Sequence, residues 1–182
     1  MAPNFDLSEP VSVPRIRTER LWLREYRVSD FDAFAANLAD PEARAHAGGV
    51  LGRRDAWRQF SSATGAWMLH GTGWWAVERL AEPGLVGTVG VFHRDGFPDH
   101  HEIGWVTLRP FWGQGFAKEA ARAAVDFAFG VWGAERVVAH IDADNKPSLR
   151  VARAIGLTFQ GDVDFYDTHL TRHVVDRPSR AG

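Results

Sequence analysis

The stretch Trp105–Phe129 reads W-V-T-L-R-P-F-W-G-Q-G-F-A-K-E-A-A-R-A-A-V-D-F-A-F. An apolar run passes through Arg109-Pro110 into a tight Gly113-Gln114-Gly115 turn, and from there directly into an alanine-rich segment of helical period. A strand that hands over to a helix through glycines leaves a row of unpaired backbone N–H groups at the helix start. The positive end of the helix dipole lies at the same place. Gly113–Lys118 is therefore suited to an anion, phosphate above all. A glycine turn can also join strand to helix with no ligand, so the choice rests on the remaining chain.

Outward from this stretch, the elements are legible on both sides. Residues 1–16 carry three prolines and no periodicity, which predicts an extended arm. Arg20–Tyr26 alternates apolar and polar residues and predicts a strand. Ser29 and Asp30 precede an apolar stripe of Phe31, Phe34, Ala35 and Leu38, which predicts a capped helix. Asp40-Pro41-Glu42 predicts another short helix, broken at Gly48-Gly49. Arg53–His70 places Ala56, Trp57, Phe60, Ala63 and Trp67 on one helical face. Gly73–Arg79 and Leu85–Phe92 predict a hairpin across Glu82-Pro83-Gly84. His93–His101 is polar, contains Gly96 and Pro98, and predicts a loop before the strand Glu102–Leu108. The helix Gly115–Trp132 follows. Arg136–Asp142 predicts a buried strand, Pro147–Ile155 a helix capped by Asp144 or Asn145, and Leu157–Val163 with Thr168–Val175 a last antiparallel pair. This order predicts one α/β (α+β) domain over 17–176, with a mostly antiparallel sheet of about seven strands flanked by helices and a frayed tail over 177–182.

Composition narrows the function. At 182 residues the chain suits one domain, and its net charge of −2 supplies no basic field for nucleic acid or anionic membrane. With no cysteine, disulfides, thiolate metal sites and a cysteine nucleophile are excluded. The first residues, M-A-P-N-F-D-L-S-E-P, have neither a basic nor an apolar signal region, and no apolar run is long enough to cross a bilayer. A cytoplasmic location is expected. Lys118 stands out because Lys146 is the only other lysine.

Competing nucleotide motifs fail on spacing. A P-loop needs G-x-x-x-x-G-K-[ST], which Gly113 and Lys118 do not supply. A dinucleotide fingerprint needs a third Gly or Ala where Lys118 stands.

Four stretches together carry a family resemblance: Thr18–Arg24 (T-E-R-L-W-L-R), Asp40-Pro41-Glu42 with Gly48-Gly49, Pro110–Ala121 (P-F-W-G-Q-G-F-A-K-E-A) and Asn145–Leu157 (N-K-P-S-L-R-V-A-R-A-I-G-L). In these the chain resembles the GCN5-related N-acetyltransferase superfamily, in its ribosomal-protein-alanine acetyltransferase-like branch. The resemblance implies an acetyl-CoA site. The backbone N–H groups of Gly113, Gln114, Gly115, Phe116, Ala117 and Lys118 would meet its pyrophosphate, Val106, Thr107 and Leu108 would pair with the pantetheine arm, and the Asn145 amide would reach the cofactor. The chain departs from the pattern in places. Trp112 takes the first loop position, Lys118 replaces the usual Thr or Ser, and Arg153-Ala154 replaces Glu-Lys. Ala152 stands where many members carry a tyrosine acid.

Acetyl transfer to an amine needs a base for the amine and a proton for the leaving thiolate. Glu102, at the start of the strand leading into the loop, is the candidate base; its other reading is a hydrated strand-end carboxylate. Asp99 is the weaker substitute. Ser148 is the candidate acid, or else a first-turn residue satisfying backbone N–H groups, and Tyr166 is a second donor candidate. His93, His100 and His101 match no ligand spacing, so no metal is expected. Trp57, Trp67, Trp74, Trp75 and Trp105 are candidate pocket walls or core. Asp95, Asp99 and Glu102 would attract a cationic amine. The acceptor stays open between a protein N-terminus and small amines. A non-catalytic acyl-CoA binder and an enzyme for a longer acyl-CoA stay open too. The resembling branch often forms homodimers.

Overall fold

The computed structural model describes residues 12–94, 97–165 and 168–178, without the side chains of residues 94, 97–100 and 165. Among the described residues, four α-helices cover the two faces of one eight-stranded sheet of order β1-β2-β3-β4-β5-β6-β8-β7. The strands are β1 (Ile16–Arg17), β2 (Leu21–Arg24), β3 (Gly73–Arg79), β4 (Leu85–Arg94), β5 (Phe97–Thr107), β6 (Arg136–Ile141), β7 (Thr158–Phe165) and β8 (Thr168–Asp176). The helices are α1 (Phe31–Leu38), α2 (Arg53–His70), α3 (Phe116–Gly130) and α4 (Lys146–Ala154).

Every neighbouring pair is antiparallel except β5 with β6. Those two run parallel and keep register only at His101–Val137 and Glu102–Val138. Both strands continue beyond that point, so the sheet forks there. A parallel pair needs a crossover, and α3 supplies it.

Side-chain alternation along each strand builds two cores. On one face, α3 (Ala120, Ala121, Ala124, Val125) and Ala152 of α4 pack on Leu23, Trp75, Val89, Val91, Ile103, Val137 and Ala139. On the other, α1 and α2 pack Phe31, Phe34, Leu38 and Phe60 against Ala76, Leu85 and Leu108. Beside this second core, Arg24 is buried between Asp30 at 2.7 Å and Glu78 at 2.6 Å. Burial works against its charge, but the hydrogen bonds it donates to both carboxylates, with their charge, prevail and raise its pKa.

Four local expectations are corrected. Ile16–Arg17 adds an eighth strand, Val13 packs on the core, and the Trp75 indole donates to the Pro14 carbonyl at 2.7 Å, so residues 13–17 are tied down. Asp30 takes the Arg27 amide and the Arg24 guanidinium rather than the N–H groups of α1. Asp40-Pro41-Glu42 starts a run of turns: the Asp40 carboxylate accepts from the Glu42 amide at 2.9 Å, a local bond that competes with helix. The polar His93–His101 segment is mostly strand, with Arg94 opposite Phe97 across a hairpin. Ladder bonds come from the backbone, so side-chain polarity did not report them.

Candidate functional site

The Gly-Gln-Gly turn sits where the fork opens. Gly113 and Gly115 hold φ of 74° and 81°, left-handed values that a side chain resists. Gly115 caps α3. Glu119 is the first residue of this segment whose N–H returns to the helix, donating to the Gly115 carbonyl at 3.1 Å. Among the described residues, the six N–H groups of Gly113, Gln114, Gly115, Phe116, Ala117 and Lys118 donate to no protein acceptor. The Phe116 ring is buried, leaving its amide as its contribution, while Lys118 is exposed.

The turn is braced from the β1–β2 corner. The Glu119 carboxylate accepts from Thr18 Oγ1 at 2.6 Å, from the Arg20 amide at 2.9 Å and from Arg20 Nε at 2.7 Å. Arg20 also donates to the Gln114 carbonyl at 3.1 Å and lies over the Phe116 ring. Burial works against the Glu119 charge, but these bonds prevail and lower its pKa.

Backbone direction on β5 follows from one bond. The Leu108 amide donates to the Val86 carbonyl, in register with Thr88–Val106. Alternation in an antiparallel ladder then turns Val106 and Leu108 toward β4, and Trp105 and Thr107 toward the fork. So of Val106, Thr107 and Leu108, only Thr107 offers its backbone to the open side. The Trp112 indole donates to the Thr107 carbonyl at 2.7 Å, which pins an exposed ring beside the opening. The sequence showed Trp112 only as an odd loop residue.

Across the fork, α4 begins after β6. Asn145 caps it by accepting from the Ser148 amide at 3.1 Å, and the Ser148 hydroxyl sits half-buried in the first turn. Two helix N-termini therefore flank the carboxyl ends of two diverging parallel strands, a crevice of the kind that open sheets use for ligands.

Glu102 is the last β5 residue paired to β6. Its side chain is buried, with Oε2 3.4 Å from His140 Nδ1. That removes the reading of a hydrated strand-end group. It shares a sheet face with Val106, and so with the α1–α2 side. On this face the Trp74 ring covers Gly90 and Gly104: a Cβ at either glycine would come within 2.7 Å and 2.6 Å of it. Trp74 stacks on Phe92, which lies opposite Glu102. A cavity of about 270 Å³ opens beside them, with Tyr26, Thr88 and Val106 among its walls. Burial raises the Tyr26 pKa, against a hydrogen bond from Thr88. A wider groove of about 780 Å³ lies by Arg24 and Arg109, but these two are already ion-paired.

The remaining candidates are elsewhere. Trp67 and Trp75 are core, Trp105 packs partly buried on it, and Trp57 is exposed. The His93 and His101 rings lie 4.4 Å apart, tilted by 51°; burial, then His93, lowers the His101 pKa. Asp95 and Tyr166 lie outside the described residues, as do the side chains of Asp99 and His100.

Residues 20–158 match the family model described as Acetyltransferase (GNAT) domain. The chain belongs to the GNAT acetyltransferase family. As a GNAT protein it is an acyltransferase, and relatives agree. It is 30% identical to the uncharacterised N-acetyltransferase YnaD of Bacillus subtilis over 80% of this chain and 84% of that protein. A shorter stretch of 58 residues is 45% identical to the uncharacterised protein YkkB of the same organism, and there the match spans 34% of the relative's length. An acetyltransferase structure from Agrobacterium tumefaciens superposes with a TM-score of 0.83 at 27% identity, covering 96% of this chain and all (100%) of that one. RimL, a ribosomal alpha-N-protein acetyltransferase solved in complex with coenzyme A, shares the fold with a TM-score of 0.75 at 15% identity over 90% and 98% of the chains.

Proposed function

We propose that this GNAT protein moves an acetyl group from acetyl-CoA to a primary amine, by direct transfer in a ternary complex. The observation that carries this reading is the run of six unengaged N–H groups, Gly113–Lys118, at the lip of a fork whose apex holds Glu102. The pyrophosphate lies on those amides, and Lys118 adds a charge beside it. The pantetheine arm enters the fork as an added strand against the outward-facing backbone of Trp105 and the Thr107 N–H, the Thr107 carbonyl being held by Trp112. The coenzyme A held by RimL supports this donor.

The acceptor approaches from the α1–α2 face. Glu102 takes a proton from the amine, directly or through water, and His140 holds the carboxylate in place. The amine nitrogen then bonds to the thioester carbon, the carbon–sulfur bond breaks, and the departing thiolate takes a proton. The Ser148 hydroxyl, on the other lip, is the proposed donor of that proton. With no cysteine in the chain, no acetyl-cysteine intermediate forms. Initial rates of thiol release, with acetyl-CoA and amine both varied, should give intersecting double-reciprocal lines. Parallel lines would contradict direct transfer, and binding of coenzyme A without turnover on any amine would contradict catalysis.

A further inference from the structure

We infer that the acceptor amine also carries a carboxylate, and that Arg44 in the 270 Å³ cavity on the α1–α2 face receives it. This rests on the transfer reaction proposed above and names its substrate class. Among the described residues lining the cavity, Arg44 is the only permanent charge, and no Asp or Glu lines it. Arg24, Arg109 and Arg136 all end on carboxylates, whereas Arg44 donates from Nε to the Gly49 carbonyl at 2.7 Å and has no ion pair among the described residues. Arg122 and Arg177 also end on backbone carbonyls, but neither lines this cavity. Partial burial lowers the Arg44 pKa, so this side chain bears a desolvation cost that no protein anion offsets. A guanidinium in that position is matched to a carboxylate, which it can hold through two parallel hydrogen bonds.

Asn37, in the wall of both this cavity and the 780 Å³ groove, is only 8% exposed, and its Oδ1 has no hydrogen-bond partner among the described residues. Buried amides normally satisfy themselves within the protein. His93 Nδ1, likewise in the wall, is buried without a hydrogen-bond partner among the described residues. The cavity thus sets one cation beside the flat Trp74–Phe92 stack, with no carboxylate among its described walls. This arrangement disfavours polycations such as polyamines and aminoglycosides, which would meet Arg44 with like charge. The volume suits a molecule the size of a single amino acid rather than a long chain.

The test is thiol release from acetyl-CoA with matched acceptors: free amino acids, the same amino acids as C-terminal amides, dipeptides with an acidic second residue, and spermidine. The wild-type protein should prefer a free amino acid to its amide by about tenfold or more in kcat/KM. Arg44→Gln should reduce that ratio toward one, chiefly through KM, and Arg44→Lys should recover part of it. Calorimetric titration of the preferred amino acid into protein saturated with coenzyme A gives a readout independent of turnover, and Arg44→Gln should weaken that binding too. Preference for the acidic dipeptides would keep the carboxylate and assign it to a peptide. Equal or better turnover of amides or spermidine would overturn the inference and leave the acetyltransferase reading standing. No turnover of any amine would overturn both.

Discussion

At the scale of single residues, backbone geometry matters as much as side-chain chemistry. Gly115 holds φ at 81°, and an added Cβ would sit 3.4 Å from the Arg20 guanidinium that braces the turn. Alanine there carries the left-handed penalty of about 1–2 kcal/mol. Gly115→Ala should therefore lower Tm by ~2–8 °C and weaken coenzyme A binding in calorimetry. An unchanged protein would mean that the turn does not need its present shape. The glycines were legible from spacing alone, because few other residues tolerate that conformation. Glu102 was legible as a candidate, but its burial beside His140 was not, since the partner lies 38 positions away on another strand. Arg44 and Asn37 went unremarked for the same reason: being unpaired is a property of the fold, not of the local sequence.

At the scale of elements, α3, α4 and the β3–β4 hairpin were readable because each combines a strong period with a clear stop. The Asp40–Gly49 segment misled because the Asp40 carboxylate bonds the next turn's amides in place of a helix, and the polar start of β5 because ladders are decided by backbone bonds. The joint between α3 and the β1–β2 corner is one such long-range tie, and it has a pH signature. Arg15, as hydrogen-bond donor, lowers Glu25 to about 2, and Glu119 is lowered too by its bonds from Thr18 and Arg20 outweighing burial. Each group binds its proton less readily folded than unfolded. The stability it contributes is present above the unfolded carboxylate value of about 4.3, and is lost as pH falls through the folded value. Urea midpoints should fall as pH drops below about 4.5, and less steeply in Glu119→Gln. At neutral pH the same variant should raise KM for acetyl-CoA, because Arg20 loses its anchor. Identical acid profiles for the two proteins would remove Glu119 from this account.

At the scale of the whole molecule, two antiparallel halves share one short parallel contact, and the fork they leave is the site. In the proposed reaction the donor side is formed by the ends of β5 and β6 with the N-termini of α3 and α4, and the acceptor side by α1, α2 and the turns between them. Glu102 stands where the halves meet, which makes it the group on which the account depends. Glu102→Gln keeps size and shape while removing the proposed base. The deciding measurement is the steady-state kcat of this variant for thiol release, alongside its coenzyme A affinity. The kcat should fall about 10²–10⁴-fold with affinity little changed. A kcat equal to that of the wild-type protein would contradict that role for Glu102.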